Sequence, residues 1–119
     1  MITFDRVSKR YPTGQQALAN LSFDLTRGEF AFVTGHSGAG KSTLLRLVLG
    51  IEKPSGGKIV VNGHDLGIMS RKVLPNYRRQ IGTVFQDHQL LNDRSVYDNV
   101  ALPLEISGLD PREGKRRVR

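Results

Sequence analysis

Apolar and polar residues alternate over 2–7, ITFDRV, and again over 21–26, LSFDLT, with the period of two that a half-buried strand requires. PTGQQ between them supplies turn residues, so the two segments predict antiparallel sheet at the start of the chain. At 29–35 the pattern changes. EFAFVTG is an almost unbroken apolar run with β-branched and aromatic side chains that ends on glycine, as a strand buried on both faces would. In KSTLLRLVLG the apolar positions Leu44, Leu45, Val48 and Leu49 then recur at helical spacing before Gly50, which predicts a helix closed by glycine.

Farther along, EKPSGG predicts a turn, and KIVVNGHD a strand that runs into an Asn62-Gly63 turn. Residues 70–80 predict a basic helix interrupted near Pro75, and IGTVF at 81–85 predicts another buried strand. Ser95 is placed to cap a helix reaching about Ile106, with Asp98 positioned to complete a capping box. Asp110, Pro111 and Glu113 start one more helix, yet the sequence stops at Arg119 barely two turns later. Isolated helices that short are marginal. Residues 1–119 are therefore expected to be the amino-terminal portion of a single longer domain, with sheet edges left open to aggregation. There is no internal repeat and no low-complexity segment.

Composition narrows the chemistry. With 119 residues there is room for one domain at most. The absence of cysteine excludes disulfides, thiolate metal sites and cysteine nucleophiles. No run of 18 apolar residues is present, and MITFDRVSKR lacks the apolar core of a secretory signal, so a cytosolic location is expected. The net charge of +7 comes partly from Arg71, Lys72, Arg78 and Arg79 and from Arg112, Lys115, Arg116, Arg117 and Arg119. No aromatic residues are interleaved there to stack bases, so both runs read as solvated helix faces and nucleic acid is not expected as a partner.

The most specific chemistry lies at GHSGAGKS. Gly35, four residues, Gly40, Lys41 and Ser42 have the Walker A spacing, and the segment sits between a predicted strand and a predicted helix, as that motif requires. Glycines let backbone N–H groups curl around a β-phosphate, and the helix beginning near Lys41 turns its positive dipole end toward the same anion. Lys41 should reach the β- and γ-phosphates and the Ser42 hydroxyl should ligate Mg2+. A chance match in a chain of this length is on the order of one per cent or less. Binding a nucleotide and helping to cleave it require the same spacing, so the motif alone does not choose between them.

Position along the chain does more. A GTPase or small-molecule kinase usually carries this loop right after its first strand, whereas here two strand-like segments come before it. Asp87 could be offered as the metal-binding carboxylate of a kinase, but Gln86 and not an apolar strand residue precedes it. The arrangement resembles the nucleotide-binding domains of the ABC family. GHSGAGKSTLLRL, GIEKPSGGKI, NGHD, RRQIGTVFQDHQLL and DRSVYDNVALPL are similar, over about residues 2–118, to the FtsE branch of cell-division ATP-binding subunits. ATPases of lipoprotein-releasing and macrolide-exporting systems are similar in the same stretches, though less so.

The resemblance implies an α/β fold, a P-loop NTPase nucleotide-binding core with an antiparallel β subdomain, here in truncated form. It implies ATP and Mg2+ as cofactors. Tyr11 would stack on adenine; Gly35, His36, Ser37, Gly38, Ala39, Gly40, Lys41, Ser42 and Thr43 would hold the nucleotide. Lys41 and Gln86 would be catalytic, with Ser42 and Gln86 at the metal, although His36 also reads as a tolerated loop residue. It further implies a peripheral place on the cytoplasmic face of the inner membrane. There a second copy would close an ATP sandwich, and the integral membrane protein FtsX, docking near His88 to Asp93, would pass force to peptidoglycan hydrolases. The LSGGQ signature, the Asp-Glu pair of Walker B and the switch histidine are not in these residues. The 119 residues alone are therefore expected not to turn over ATP, although the intact protein is expected to be an ATPase. A nucleotide-binding scaffold in which hydrolysis is dispensable is the alternative.

Overall fold

The computed structural model describes residues 1–118, which form two compact units that meet in sequence between Ile81 and Gly82. The first unit is built on an antiparallel sheet of β1 (Ile2–Arg10), β2 (Gln16–Leu25), β3 (Gly56–Val61) and β4 (His64–Asp65), in the order β2-β1-β3-β4. The expected antiparallel pair at the amino terminus is present, with both strands longer than their alternating cores. Phe4 lies opposite Phe23, and the rings stack with centroids 4.6 Å apart, a cross-strand pair of the kind that fixes register.

In ITFDRV the alternation slips by one between Phe4 and Val7. The backbone absorbs the slip at Arg6, whose φ of 47° marks an irregularity in the pairing. Val7 thereby stays fully buried beside Phe4 rather than turning to the opposite face. The core of this unit joins Phe4, Val7 and Leu18 to Ile59, Val61 and Leu66, with Leu47 and Tyr77 contributed by helices.

Two helices belong to this unit, α1 (Lys41–Val48) and α2 (Leu74–Arg78). Gly50 follows α1 in the left-handed region, as its predicted role in ending the helix requires. The expectation of a helix across 70–80 is corrected to the short α2. Pro75 does not interrupt it but sits in its first turn, where the missing N–H costs nothing. Asn62 and Gly63, at φ 47° and 82°, turn β3 into β4 as their sequence predicts.

The two buried strands expected at 29–35 and 81–85 are not strands. Among the described residues no strand pairs with either run, and Phe30, Phe32 and Val84 are 82%, 83% and 96% exposed. An apolar run specifies burial, but a strand also needs a neighbour to take its ladder hydrogen bonds, and that neighbour is not encoded locally. Phe30 and Phe32 instead pack against each other edge to face, centroids 4.9 Å apart.

The second unit holds α3 (Val96–Ile106) and α4 (Pro111–Val118), packed on each other. The predicted capping box is formed: the Asp98 N–H donates to Ser95 Oγ at 3.1 Å, and the Ser95 N–H donates to the Asp98 carboxylate at 3.3 Å. Asp110 opens α4 by accepting from the Arg112 N–H at 2.9 Å. No described helix is long and apolar enough to cross a membrane.

Candidate phosphate-binding site

The glycine loop enters α1 through Gly40, which occupies the N-cap at φ 90° and offers no side chain to the first turn. A Cβ at Gly40 would stand 2.3 Å from the carbonyl oxygen of Ala17 on β2, so glycine is demanded here by both conformation and contact. The close approach seats the loop against the sheet. It also leaves the first-turn N–H groups of α1 without a capping side chain, and the first turn carries no acid. An uncapped, acid-free helix start is positive by its own dipole.

Lys41 adds a full charge to that end. Its ammonium donates to the carbonyl oxygens of Gly35 at 2.6 Å and His36 at 2.7 Å, closing the loop on itself, while the Ala39 N–H returns to the His36 carbonyl at 3.1 Å. The side chain that closes the loop is thus the loop's own cation, and both its acceptors are neutral carbonyls. An anionic oxygen is a stronger acceptor for an ammonium than either. Ser37 and Gly38 lie exposed on the rim with His36, Ala39 is half-buried, and Ser42 is exposed on the first turn of the helix.

Thr43 faces the other way. It is buried, and its Oγ1 lies 3.2 Å from the Tyr11 hydroxyl, 32 residues earlier in the chain. Tyr11 sits at the head of the turn between β1 and β2, where its N–H donates to the Gln15 carbonyl and its own carbonyl accepts from Gly14, both at 2.9 Å. Two residues that the sequence nominates separately, one for a base and one for a phosphate, are therefore brought into contact.

The rear of α1 is held as firmly as its front. Leu47 is fully buried, and the Tyr77 hydroxyl donates to the Val48 carbonyl. Burial pushes the Tyr77 hydroxyl up to about 12. Arg78 donates from Nε to the Leu49 carbonyl at 3.0 Å and from Nη2 to the Gly50 carbonyl at 2.9 Å. Arg78, expected only as one cation of a solvated helix face, instead holds carbonyls 29 and 28 residues away, and nothing in the sequence around Tyr77 marks its contact with Val48.

Gln86 belongs to the second unit, exposed at the start of a turn over 86–89 in which His88 and Gln89 have φ 57° and 52°. The neighbouring Asp87 carboxylate accepts from Gln89 Nε2 at 2.9 Å. Beyond this turn Asn99 clamps the next loop to α3. Its Oδ1 accepts from the Leu91 N–H at 2.8 Å, and its Nδ2 donates to the carbonyls of Leu91 at 3.1 Å and Ser95 at 2.9 Å.

The sequence profile of the ABC transporter family matches residues 18–119. The chain is 57% identical over 118 residues to the cell division ATP-binding protein FtsE of Escherichia coli strain K12, a match over 99% of this chain and 53% of that protein. It is 50% identical over 123 residues to the methionine import ATP-binding protein MetN of Rhizobium meliloti, covering 99% of this chain and 34% of that protein. The chain thus spans about half the length of the FtsE relative. Among solved structures, a dimeric ATP-binding cassette in a post-hydrolysis state, bound to ADP and Pi, superposes with a TM-score of 0.90 at 30% identity, over 99% of this chain and 54% of that one. The fold is that of the ATP-binding cassette, in its amino-terminal part.

Proposed function

This chain belongs to the ABC transporter family, and from that premise we propose that the protein is the ATP-binding and ATP-hydrolysing subunit of a cell-division complex of the FtsE type. It works from the cytoplasmic face of the inner membrane, peripherally, through an integral membrane partner of the FtsX kind, and as a pair with a second copy of itself. The observation that carries the reading is the loop closed by Lys41 over an uncapped, acid-free helix start. The proposal extends to domain organisation: residues 1–119 are the amino-terminal portion of one ATP-binding domain, a reading supported by the 53% of the FtsE relative's length that they match.

Each residue has a task. Backbone N–H groups from Gly35 to Thr43, His36, Ser37, Gly38 and Ala39 included, wrap the phosphates. Lys41 exchanges its two carbonyl acceptors for phosphate oxygens and neutralises charge between the β- and γ-positions. Thr43 contributes through its backbone, because its hydroxyl is engaged with Tyr11. Tyr11 offers its ring to adenine. The residues fit the cofactors: glycines leave room for the anion, and the donors are all neutral or cationic.

Ser42 would be a ligand of Mg2+, which when bound offsets charge on the phosphate oxygens. Among the described residues no group of three or more His, Cys, Asp or Glu could hold a metal, so such an ion would take most of its oxygens from phosphate and water. Gln86, neutral and able both to accept and to donate, suits the orientation of a water without adding charge. Residues of the signature, Walker B and switch-histidine types are not within residues 1–119, so cleavage needs more than this half of the domain.

The test uses the full-length protein. Lys41→Ala is expected to lower ATP turnover about a hundredfold, and the wild-type protein should recover an FtsX-type membrane protein on co-purification. Unchanged turnover in Lys41→Ala would remove the ATPase reading. The 50% identity to MetN supports a second reading, an importer subunit, which recovery of a methionine permease in place of FtsX would establish.

A further inference from the structure

Lys9 projects from the end of β1 with its side chain only 12% exposed. Its ammonium donates to Glu52 Oε2 at 2.8 Å and to the Lys53 carbonyl at 2.8 Å, both in the turn that follows α1. The same nitrogen stands 5.1 Å from the centroid of the Tyr11 ring. A cation at that distance is attracted by the ring's quadrupole, more strongly when it is partly desolvated and cannot swing away. The two hydrogen bonds to Glu52 and Lys53 keep it from swinging away.

The ring is therefore constrained at three points: by the turn hydrogen bonds of its backbone, by its hydroxyl at Thr43 Oγ1, 3.2 Å away, and by the ammonium. A half-exposed tyrosine at the tip of a hairpin would ordinarily sample several rotamers, and any flat ligand would have to select one of them. Here the selection is made in advance. We propose that Lys9 is a positioning residue for nucleotide-base recognition: clamped by Glu52 and Lys53, its ammonium braces Tyr11 so that the ring stands ready to stack an adenine base. The proposal rests on the reading of Tyr11 as the base platform. It assigns Lys9 no contact with the nucleotide. It also makes the turn after α1 part of base recognition, because that turn holds the cation.

The experiment compares ATP with inorganic tripolyphosphate, which keeps the phosphates and lacks the base, by calorimetric titration of the full-length protein. Lys9→Met keeps the length and apolar stem and removes the charge. It is expected to weaken ATP binding about three- to tenfold and to leave tripolyphosphate binding unchanged, with Lys9→Arg restoring the wild-type ratio. Glu52→Gln, which frees the ammonium without removing it, should shift the ratio in the same direction and serves if Lys9→Met does not fold. Equal losses for both ligands would assign Lys9 to general stability or charge and overturn the proposal. Tyr11→Ala separates the two levels. If it selectively weakens ATP while Lys9→Met and Glu52→Gln do not, the platform stands and the brace falls; if it leaves ATP binding unchanged, the platform reading fails and the brace with it.

Discussion

Arg78 Nε donates to the carbonyl oxygen of Leu49 at 3.0 Å, which places a guanidinium across the negative end of the helix that begins at Lys41. With Nη2 on Gly50 at 2.9 Å, one planar group serves two carbonyls that the helix itself leaves unpaired. Removing the charge with Arg78→Met is expected to cost about 1–2 kcal/mol of stability in urea unfolding. Arg78→Lys should recover only part of it, because an ammonium cannot present the fork. A methionine variant as stable as wild type would show that the contact is incidental.

Tyr77 makes the adjacent contact and adds a pH dependence. Its hydroxyl, 1% exposed as a residue and donated to Val48, is pushed by burial from 10.0 to about 12. Below pH 10 the hydroxyl is protonated in both folded and unfolded chains, so the stabilisation is fully present. Above pH 10 the unfolded chain ionises first, and the stabilisation drains away as pH climbs toward 12. Tyr77→Phe should therefore cost about 1 kcal/mol at pH 8, and the gap to wild type should close between pH 10 and 12. Urea midpoints measured at pH 8 and pH 11 decide it; a constant gap would place the phenol in water.

The contrast between what was legible in the sequence and what was not follows the range of the interaction. The Ser95–Asp98 box, the Asn62-Gly63 turn and the glycine spacing around Lys41 are local codes and could be read directly. The runs around Phe32 and Val84 were misread as paired strands because their apolar content says nothing about which segment lies alongside. ITFDRV reads as regular alternation, and only the sheet shows the irregularity at Arg6 that leaves both Phe4 and Val7 buried. The roles of Lys9, Tyr77 and Arg78 are not legible, Arg78 reading only as a cation on a solvated face: each acts on a group at least 28 residues away, or, for Lys9 and Tyr11, through a clamp at Glu52 that no short motif records.

The capping box carries its own acid signature. The Ser95 hydroxyl hydrogen-bonded to Asp98 at 2.6 Å is the main reason the Asp98 carboxyl lies below its usual range, with Arg94 adding a smaller pull in the same direction. A carboxylate lowered in the folded state supports folding above its unfolded value and loses that support as pH falls through the lowered one. The start of α3 should thus fray on acidification in wild type, while Asp98→Asn should show a flatter response. Ser95→Ala should cost about 1 kcal/mol and return the carboxyl toward its ordinary range, which NMR titration of the Asp98 side chain would detect. An unmoved titration would dissociate the serine from the shift.

Glycines 38 and 40 both have left-handed backbones, at φ 81° and 90°, yet their surroundings differ. Around Gly38 a Cβ would meet nothing within 4 Å, whereas at Gly40 it would drive into the Ala17 carbonyl and the Leu18 side chain. Gly38→Ala therefore bears only the conformational cost of about 1–2 kcal/mol. Gly40→Ala bears that and a steric clash with β2, for at least about 2 kcal/mol in all, and it cannot be relieved without lifting the loop from the sheet. The two variants should separate in function as well: lifting the loop displaces Lys41 and the first-turn N–H groups together, so Gly40→Ala should lose nucleotide binding even where it remains folded. Gly38→Ala should retain most of it. Parallel unfolding curves and ATP titrations of the full-length variants test this ordering, and equal penalties at the two positions would mean that contact with Ala17 does not constrain the loop.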